Sequence, residues 1–525
     1  MTVKSIIKIS QYYDSVSLML VARELSKMDG VHDAAVVMAT EPNKAILAGA
    51  GLLTDDIEAA TANDLVIALN AASDSVADDA LGQADELLKR RATAEETGGF
   101  RPKTIHGTVA SYSDANIAVI SVTGRYATDQ AWDALTRGLH VLLFSDNVSL
   151  EDEIELKNYA RDHGLLLMGP GAGTAIINNV ALGFANALPK GPVGIVSAAG
   201  TGLQEVSTLL AKHGVGITQG IGTGGRDLKR EVGGIMMLEA IKALQSDPAT
   251  EVIVLISKPP ADTVVQTILD QVAESAKPTV ICFMGGDVEP VAQVPNAIPA
   301  RTLQEAALLA AGAAGGGVKN VPAIIAAQNA QLGKQAQKLR ERLGFAANDS
   351  SLQKYLRGLF SGGTLCYETQ VIWREMLAAP VYSNAPLPGA PSLADSTRSV
   401  EHTAVDLGEE EFTVGRPHPM IDNDLRIRRL LQEARDPQVA VILLDVVLGY
   451  GAHPDPATEL APAIEEARNL AVQDGRELIF AASVTGTEND PQVRSRQVTA
   501  LENAGVIVCE SNAAAARLAG MIVSG

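Results

Sequence analysis

The sequence predicts an α/β protein built on parallel sheets, and three observations carry that prediction. Short apolar, β-branched runs recur along the chain, among them Val193–Val196 and Val439–Val447, and read as buried strands. Turns of small residues follow them, as in Ser197-Ala-Ala-Gly-Thr-Gly202. Helical apolar spacing then sets in, as from Leu203 to Leu210. Strands alternating with helices need crossover connections, and those belong to parallel sheets.

Taken in order, the elements group into three domains joined by one linker. Residues 1–188 read as one α/β unit. Its strands are expected at Ser5–Ile9, Ala34–Met38, Asp64–Leu69, Ala118–Val122, His140–Phe144 and Leu165–Met168. Helices are expected at Ser15–Lys27, Ser75–Thr97 (ending at Gly98-Gly99), Thr128–Arg137 and from Ser149, an N-cap with acids in the first turn. Residues 189–316 hold strands at Val193–Val196, Gly216–Thr218, Glu251–Ile256 and Thr279–Phe283. Residues 317–350, rich in Ala, Gln and Lys, read as a helical connector or linker. Residues 351–525 open with Ser361-Gly-Gly-Thr364 before a helix at Tyr367–Leu377. They continue through the 439–447 strand, a helix at Asp455–Asn469, the strand Leu478–Val484 and a last strand–helix pair. The second and third domains share one strand–turn–helix rhythm, as distant repeats would.

Composition narrows the function. The 525 residues are 46% hydrophobic and 20% charged, which is globular. A net charge of −20 opposes nucleic acid and anionic membrane as partners, so an anionic ligand has to be held by local dipoles and a few arginines. Cys282, Cys366 and Cys509 are too widely spaced for a disulfide framework or a zinc site, and fit a reducing cytoplasm. No metal-ligand spacing stands out. The loop Gly220-Ile-Gly-Thr-Gly-Gly225 has dinucleotide-fingerprint spacing, but Arg226-Asp-Leu-Lys-Arg230 delays any helix, so no nicotinamide site is read there.

The candidate site is an anion cradle. A strand, a small-residue turn and a helix N-terminus present free N–H groups and the positive end of the helix dipole. Ser197, Gly200, Thr201 and Gly202 form one such turn; Gly449, Tyr450 and Gly451 form a second; Gly362, Gly363 and Thr364 form a third. The expectation is that the first two face one phosphate-bearing ligand. Asp445 lies inside an apolar strand, which points to hydrogen bonding with a neighbouring turn. Glu205, at the phosphate helix, is expected to orient a partner group.

The segments GPVGIVSAAGTGLQEV, MGPGAGTAIINN and GIGTGGRDL resemble the α subunit of succinyl-CoA synthetase. FTVGRPHPMIDNDLRIRRLL and VAVILLDVVLGYGAHPDP resemble the C-terminal domain of its β subunit. DSVSLM, FSDNVSLEDEIELK, GTGGRDLKREVGGI, ISKPP, SGGTL, TVGRPHPMID, LLDVVLGYGA and VTGTENDPQ are similar to stretches of the FdrA family, and that resemblance covers nearly the whole chain. It implies a Rossmann-like, CoA-binding-like domain over 1–188. It further implies two flavodoxin-like, succinyl-CoA-synthetase-type ligase domains over 189–316 and 351–525, joined by the 317–350 linker.

Three departures from the synthetase pattern bear on chemistry. No histidine occurs between His213 and His402, so the loop after Phe283 has no phosphohistidine. The 317–350 connector is too short for an ATP-grasp domain, and no Walker sequence replaces it. Ser10-Gln-Tyr-Tyr-Asp14 stands where a glycine loop holds CoA phosphates. The FdrA resemblance implies a cytoplasmic subunit of an oxamate carbamoyltransferase, a hetero-oligomer acting on phosphate, carbamoyl phosphate and oxamate or oxalurate, with no required cofactor. Phosphate is expected at Gly200–Gly202 and Gly449–Gly451 with Ser197 and Thr201 donating. Arg226 or Arg416 is expected on a carboxylate, and His418 or His453 on the carbonyl or leaving group. The alternatives are an acyl-CoA ligase, which alone brings in CoA or nucleotide, and a non-catalytic scaffold.

Overall fold

The computed structural model describes every residue except 1, 10, 12, 14, 96–101, 123, 345–352, 414–416 and 525. The chain divides into two compact units, one of residues 1–111 with 409–418, the other of 112–408 with 419–525.

The first unit holds β1 (Thr2–Lys8), α1 (Ser15–Ser26), β2 (Val31–Met38), α2 (Glu41–Gly49), α3 (Asp55–Ala59), β3 (Leu65–Ala71), α4 (Asp74–Glu95) and α5 (Ile105–Ser111). Its sheet is antiparallel in the order β1-β3-β2. β3 is the central strand and is buried along most of its length, which accounts for its unbroken apolar run. Leu18, Val21 and Leu25 of α1 pack with Ala77, Ala80 and Ala84 of α4 over one face.

The second unit begins with β4 (Ile117–Ile120), α6 (Gly124–Leu135), β5 (His140–Leu143), α7 (Leu150–Asp162) and β6 (Leu167–Met168), a small parallel sheet in the order β4-β5-β6. The hairpin β7 (Thr174–Ile177) and β8 (Val180–Gly183) follows. Next come β9 (Lys190–Ser197), α8 (Gly200–Lys212), β10 (Ile217–Gly222), α9 (Ile235–Ser246), β11 (Val252–Ser257), α10 (Asp262–Ala273), β12 (Thr279–Phe283), α11 (Glu289–Ala292), β13 (Ala297–Pro299) and α12 (Leu303–Ala313). These strands form one sheet in the order β13-β12-β11-β9-β10-β7-β8, parallel except at the hairpin.

After α13 (Val321–Arg342) come β14 (Tyr355–Phe360), α14 (Gly363–Met376), β15 (Val381–Tyr382), β16 (His402–Asp406), α15 (Glu410–Thr413, in the first unit) and α16 (Asp424–Ala434). β17 (Val439–Val447), α17 (Pro456–Gln473), β18 (Ile479–Thr485), α18 (Arg494–Asn503), β19 (Val506–Cys509) and α19 (Asn512–Ser524) complete the chain. This sheet is wholly parallel, β15-β16-β14-β17-β18-β19.

One expectation changes here, and the helical connector gains a packed face. Residues 1–188 do not share one sheet: their strands are divided among an antiparallel sheet, a small parallel sheet and the edge of the β9 sheet. Local apolar runs mark strands but do not fix which neighbour each strand takes or its direction. The 317–350 linker is mostly α13, whose Leu332, Ala336 and Leu339 are buried. That stripe joins α8, α12, α14 and α19 in one apolar core shared by both ligase-like halves. The end of the connector, 345–350, lies outside the described residues, as do Thr97 and Gly98-Gly99.

Candidate functional site

Two helix N-termini face each other, and they are those of α8 and α14. A Cβ placed on Gly202 would lie 3.0 Å from Thr364 Cγ2, and one on Gly362 would lie 2.9 Å from Thr201 Cγ2. Glycine at both positions lets the helix ends approach this closely. Each helix starts where a parallel strand ends, β9 and β14, so each turn lies at the carboxyl edge of its sheet, the usual place for a ligand. Neither helix has a side-chain cap on its first turn. Among the described residues, no acceptor meets the N–H groups of Gly200, Thr201 and Gly202, or those of Gly363, Thr364 and Leu365. Three orphan donors from each side and two dipole ends converge, which favours an anion, and one carboxylate is already close: a Cβ on Gly363 would collide with Asp406 Oδ2.

The expected second turn, Gly449–Gly451, is not that site. Gly449 N–H donates to Gln492 Oε1 at 3.0 Å and Tyr450 N–H donates to the Ala185 carbonyl at 2.8 Å. α17 begins only at Pro456. Gly449 is glycine because its φ is +117° and a Cβ would lie 2.4 Å from the Ala185 oxygen. This turn docks the β8–β9 connection and binds no helix-end anion. Gly362, Gly363 and Thr364 take its place.

The α14 turn has a charge of its own. Asp445 is fully buried and accepts from Ser361 N at 2.8 Å, from Gly362 N at 2.7 Å and from Ser361 Oγ at 3.1 Å; Arg426 Nη2 lies 3.1 Å from it. The expected structural role of Asp445 is therefore what the geometry gives. Burial pulls the Arg426 guanidinium below its usual range, with Asp445 pulling it back up. At the α8 turn Ser197 Oγ donates to the Ala199 carbonyl at 2.7 Å and accepts from Ala199 N at 3.1 Å, so it closes its own turn and is not a ligand donor.

Of the expected polar residues, most are committed elsewhere. Arg226 pairs with Glu153 at 2.8 Å and donates to the Val148 carbonyl, beside a buried Lys157–Asp227 pair that pins the 223–237 loop to α7. Asp227 also caps α9 by accepting from Met237 N at 2.8 Å. His453 is buried. Its Nδ1 accepts from Asp455 N at 3.0 Å and its Nε2 lies 2.9 Å from Glu459, so neither nitrogen is left for a carbonyl or leaving group. His418 belongs to the other compact unit. Arg416 lies outside the described residues.

Two residues at this site, Lys258 and Glu368, were not read from the sequence, and a third, Glu205, was expected to orient a partner group. Lys258, just past β11, is exposed, has no carboxylate partner among the described residues and sits 5.2 Å from the Tyr367 ring centre on α14. It adds a positive charge beside α14, where Arg426 already pairs with Asp445. Glu205 and Glu368 are buried and act across the domain boundary. Glu205 accepts from Asn512 N, the start of α19, at 3.0 Å and from Thr485 Oγ1 at 2.5 Å. Glu368 accepts from Leu303 N, the start of α12, at 2.7 Å and from Asn512 Nδ2 at 2.8 Å. Burial, with Glu205 adding to it, raises the Glu368 carboxyl to about 7. The alignment of Gly200-Thr-Gly-Leu-Gln-Glu205 with Gly363-Thr-Leu-Cys-Tyr-Glu368 carried the signal for both glutamates. The three cysteines are buried, and burial pushes their thiols up, Cys509 to about 12, so none is a nucleophile.

The comparisons with known proteins agree with this architecture. A CoA-ligase model matches residues 359–522, a CoA binding domain model 189–285, and an AllF, heavy metal-associated domain model 1–103. Uncharacterized protein YahF of Escherichia coli, an FdrA-like protein, is 44% identical over 98% of this chain and 97% of its own length. The chain belongs to the FdrA family. The succinate–CoA ligase α subunit of Methanothermobacter thermautotrophicus is 25% identical over 35% of this chain and 61% of its own. The ADP-forming sulfoacetate-CoA ligase subunit SauD of Bilophila wadsworthia is 26% identical over 34% of this chain and 61% of its own. This family member thus matches about three-fifths of those ligase subunits. Residues 1–103 contain no cysteine, and among the described residues there is no group of three metal-ligating side chains. No helix among the described residues is long and apolar enough to cross a membrane.

Proposed function

We propose that this protein binds phosphate or an acyl phosphate between the N-termini of α8 and α14, as a CoA-ligase-type subunit that works without a phosphohistidine. The observation that carries the proposal is the pair of uncapped helix ends in contact through Gly202–Thr364 and Gly362–Thr201, with Lys258 beside them. In this scheme the six N–H groups hold the phosphate oxygens, Arg426 offsets the carboxylate of Asp445, and Lys258 adds a positive charge beside α14. The acid–thiol ligase reading draws support from the ligase-type domains and relatives: an acyl phosphate bound here gives up its acyl group to a thiol, the C–O bond breaks and phosphate leaves.

A second reading is favoured by one sequence fact, the absence of any histidine between His213 and His402. With no carrier, phosphate itself is the nucleophile. A phosphate oxygen attacks the ureido carbonyl of oxalurate, the C–N bond breaks, the nitrogen takes up a proton, and carbamoyl phosphate and oxamate leave. This is the oxamate carbamoyltransferase type of reaction, performed with companion subunits.

Phosphate release from carbamoyl phosphate or acetyl phosphate, with oxamate or CoA as acceptor, tests both readings, using the chain alone and with its native partners. Release that needs CoA supports the ligase type, and release that needs oxamate supports carbamoyl transfer. Release under neither condition, with inorganic phosphate failing to bind, overturns the site itself.

A further inference from the structure

The three-stranded sheet of the first unit ends in two edges, β2 on one side and β1 on the other. The two edges are built differently. β2 has an irregular register between Val31 and Asp33, and the Asp33 carboxylate accepts from the N–H of Ala34 at 3.0 Å. A bulge and a charged residue are the usual guards against a second strand. β1 has no such guard. Its register against β3 runs unbroken from Thr2↔Ala71 to Lys8↔Leu65. Its two lysines are drawn back onto α4: Lys4 Nζ lies 2.7 Å from Asp78, and Lys8 pairs with Asp85. Among the described residues, no group outside the sheet bonds to the main chain of Thr2–Lys8.

A groove of about 530 Å³ follows the β1 edge. Residues 3–6 line it, between Thr54 at the start of α3 and Asp78 and Gly82 of α4. Val3 and Ile6 are 36% and 38% exposed, although both lie inside the strand. A Cβ on Gly82 would meet nothing within 4 Å, so the α4 side of the groove leaves room.

The strand is complementary to itself. Laid antiparallel about Ser5, it sets Lys4 opposite Ile6, Val3 opposite Ile7 and Thr2 opposite Lys8. No two charges stand opposite each other, and each exposed apolar side chain gains an aliphatic partner. The faces match as well. Alternate residues share a face, so Thr2, Lys4, Ile6 and Lys8 lie on the α4 side in both copies.

We propose that β1 pairs antiparallel with β1 of a second copy of this chain, about a two-fold axis at Ser5, and joins two three-stranded sheets into one of six strands. A strand that pairs with itself makes a closed, isologous dimer and removes the unguarded edge of both copies at once.

Sedimentation equilibrium of the full chain is expected to give twice the chain mass. Ile6→Lys, at an exposed position, sets a second lysine opposite Lys4 of the other copy. It is expected to weaken the dimer tenfold or more, with an unchanged far-UV circular dichroism spectrum. Ser5→Cys puts two thiols across the axis with Cβ atoms about 5 Å apart, and a short bis-maleimide is expected to join them. The native cysteines are buried and stay silent. Ile9→Cys, exposed and just past the strand, sets its two thiols about 26 Å apart along the paired strands and is expected to stay unjoined. A monomeric native chain overturns the proposal and leaves the edge to a strand of a different protein. A dimer that Ile6→Lys leaves at native affinity overturns it too, as does equal cross-linking of the position-5 and position-9 variants. Should Ile6→Lys fail to fold, the native mass and the two cysteine variants decide it.

Discussion

The turn before α8 and the turn before α14 have the same small-residue make-up and opposite electrostatics. At α14 the two N–H groups ahead of the helix are already met by the Asp445 carboxylate. At α8 a neutral serine hydroxyl closes the turn and no acid enters it. A helix end is thus a general anion site whose occupant the fold chooses: an internal carboxylate on one side, an external anion shared with it on the other. The Asp445 charge also weakens the pull on a second anion, and the buried Arg426 guanidinium paired with it is the compensating element.

Changes at each side sharpen this contrast. Asp445→Ala is expected to be the most damaging, by about 3–5 kcal/mol, because it strands the buried Arg426 guanidinium and two N–H groups. Urea denaturation measures it, and a loss below 1 kcal/mol would mean that the α14 turn does not depend on its internal anion.

Glu368→Gln is next. A carboxyl raised from 4.5 to about 7 contributes stability that is full below pH 4.5 and is lost as pH rises through 7. The native chain is therefore expected to lose about 3 kcal/mol across that window from this group alone. The glutamine variant should show a flatter slope in thermal melts taken at several pH values. An unchanged slope would place the titration elsewhere.

Gly202→Val should weaken inorganic phosphate binding tenfold or more in calorimetry, since its side chain would press on Thr364 and Ile256. Tyr450→Phe, in the 449–451 turn, fills no helix end and should leave phosphate affinity within twofold. The smallest effect is expected from His453→Ala: about 1 kcal/mol of stability from the lost contacts with Asp455 N and Glu459, with phosphate affinity unchanged. A large affinity loss there would restore this histidine to the site.

What the sequence made legible was local. The strand–turn–helix units at Val193–Leu210 and around Ser361–Thr364 depend on neighbours within about 15 residues, and the structure has them where that pattern puts them. The pairing of the helix ends was not legible. Gly449–Gly451 looks like an anion turn by composition, but its N–H groups go to Ala185 and Gln492, the first of them more than 250 residues away in the chain. The partners of Arg226 and His453 were not legible for the same reason, since Glu153 and Glu459 meet them only once the chain has folded. The α13 stripe is a different matter: Leu332, Ala336 and Leu339 fall at i, i+4 and i+7, and that spacing alone argued for a packed helix.

The crossed glutamates set an order in which the protein can be completed. Glu368 caps α12, and Glu205 caps α19, each from the opposite half. As the chain leaves the ribosome, the half carrying α12 emerges with Thr302 capping that helix but with Leu303 N–H unmet until residue 368 follows. The clasp closes only when Asn512 arrives to bridge both carboxylates. Truncation short of residue 512 is therefore expected to leave both halves unfinished, even though one of them is fully synthesised by residue 316.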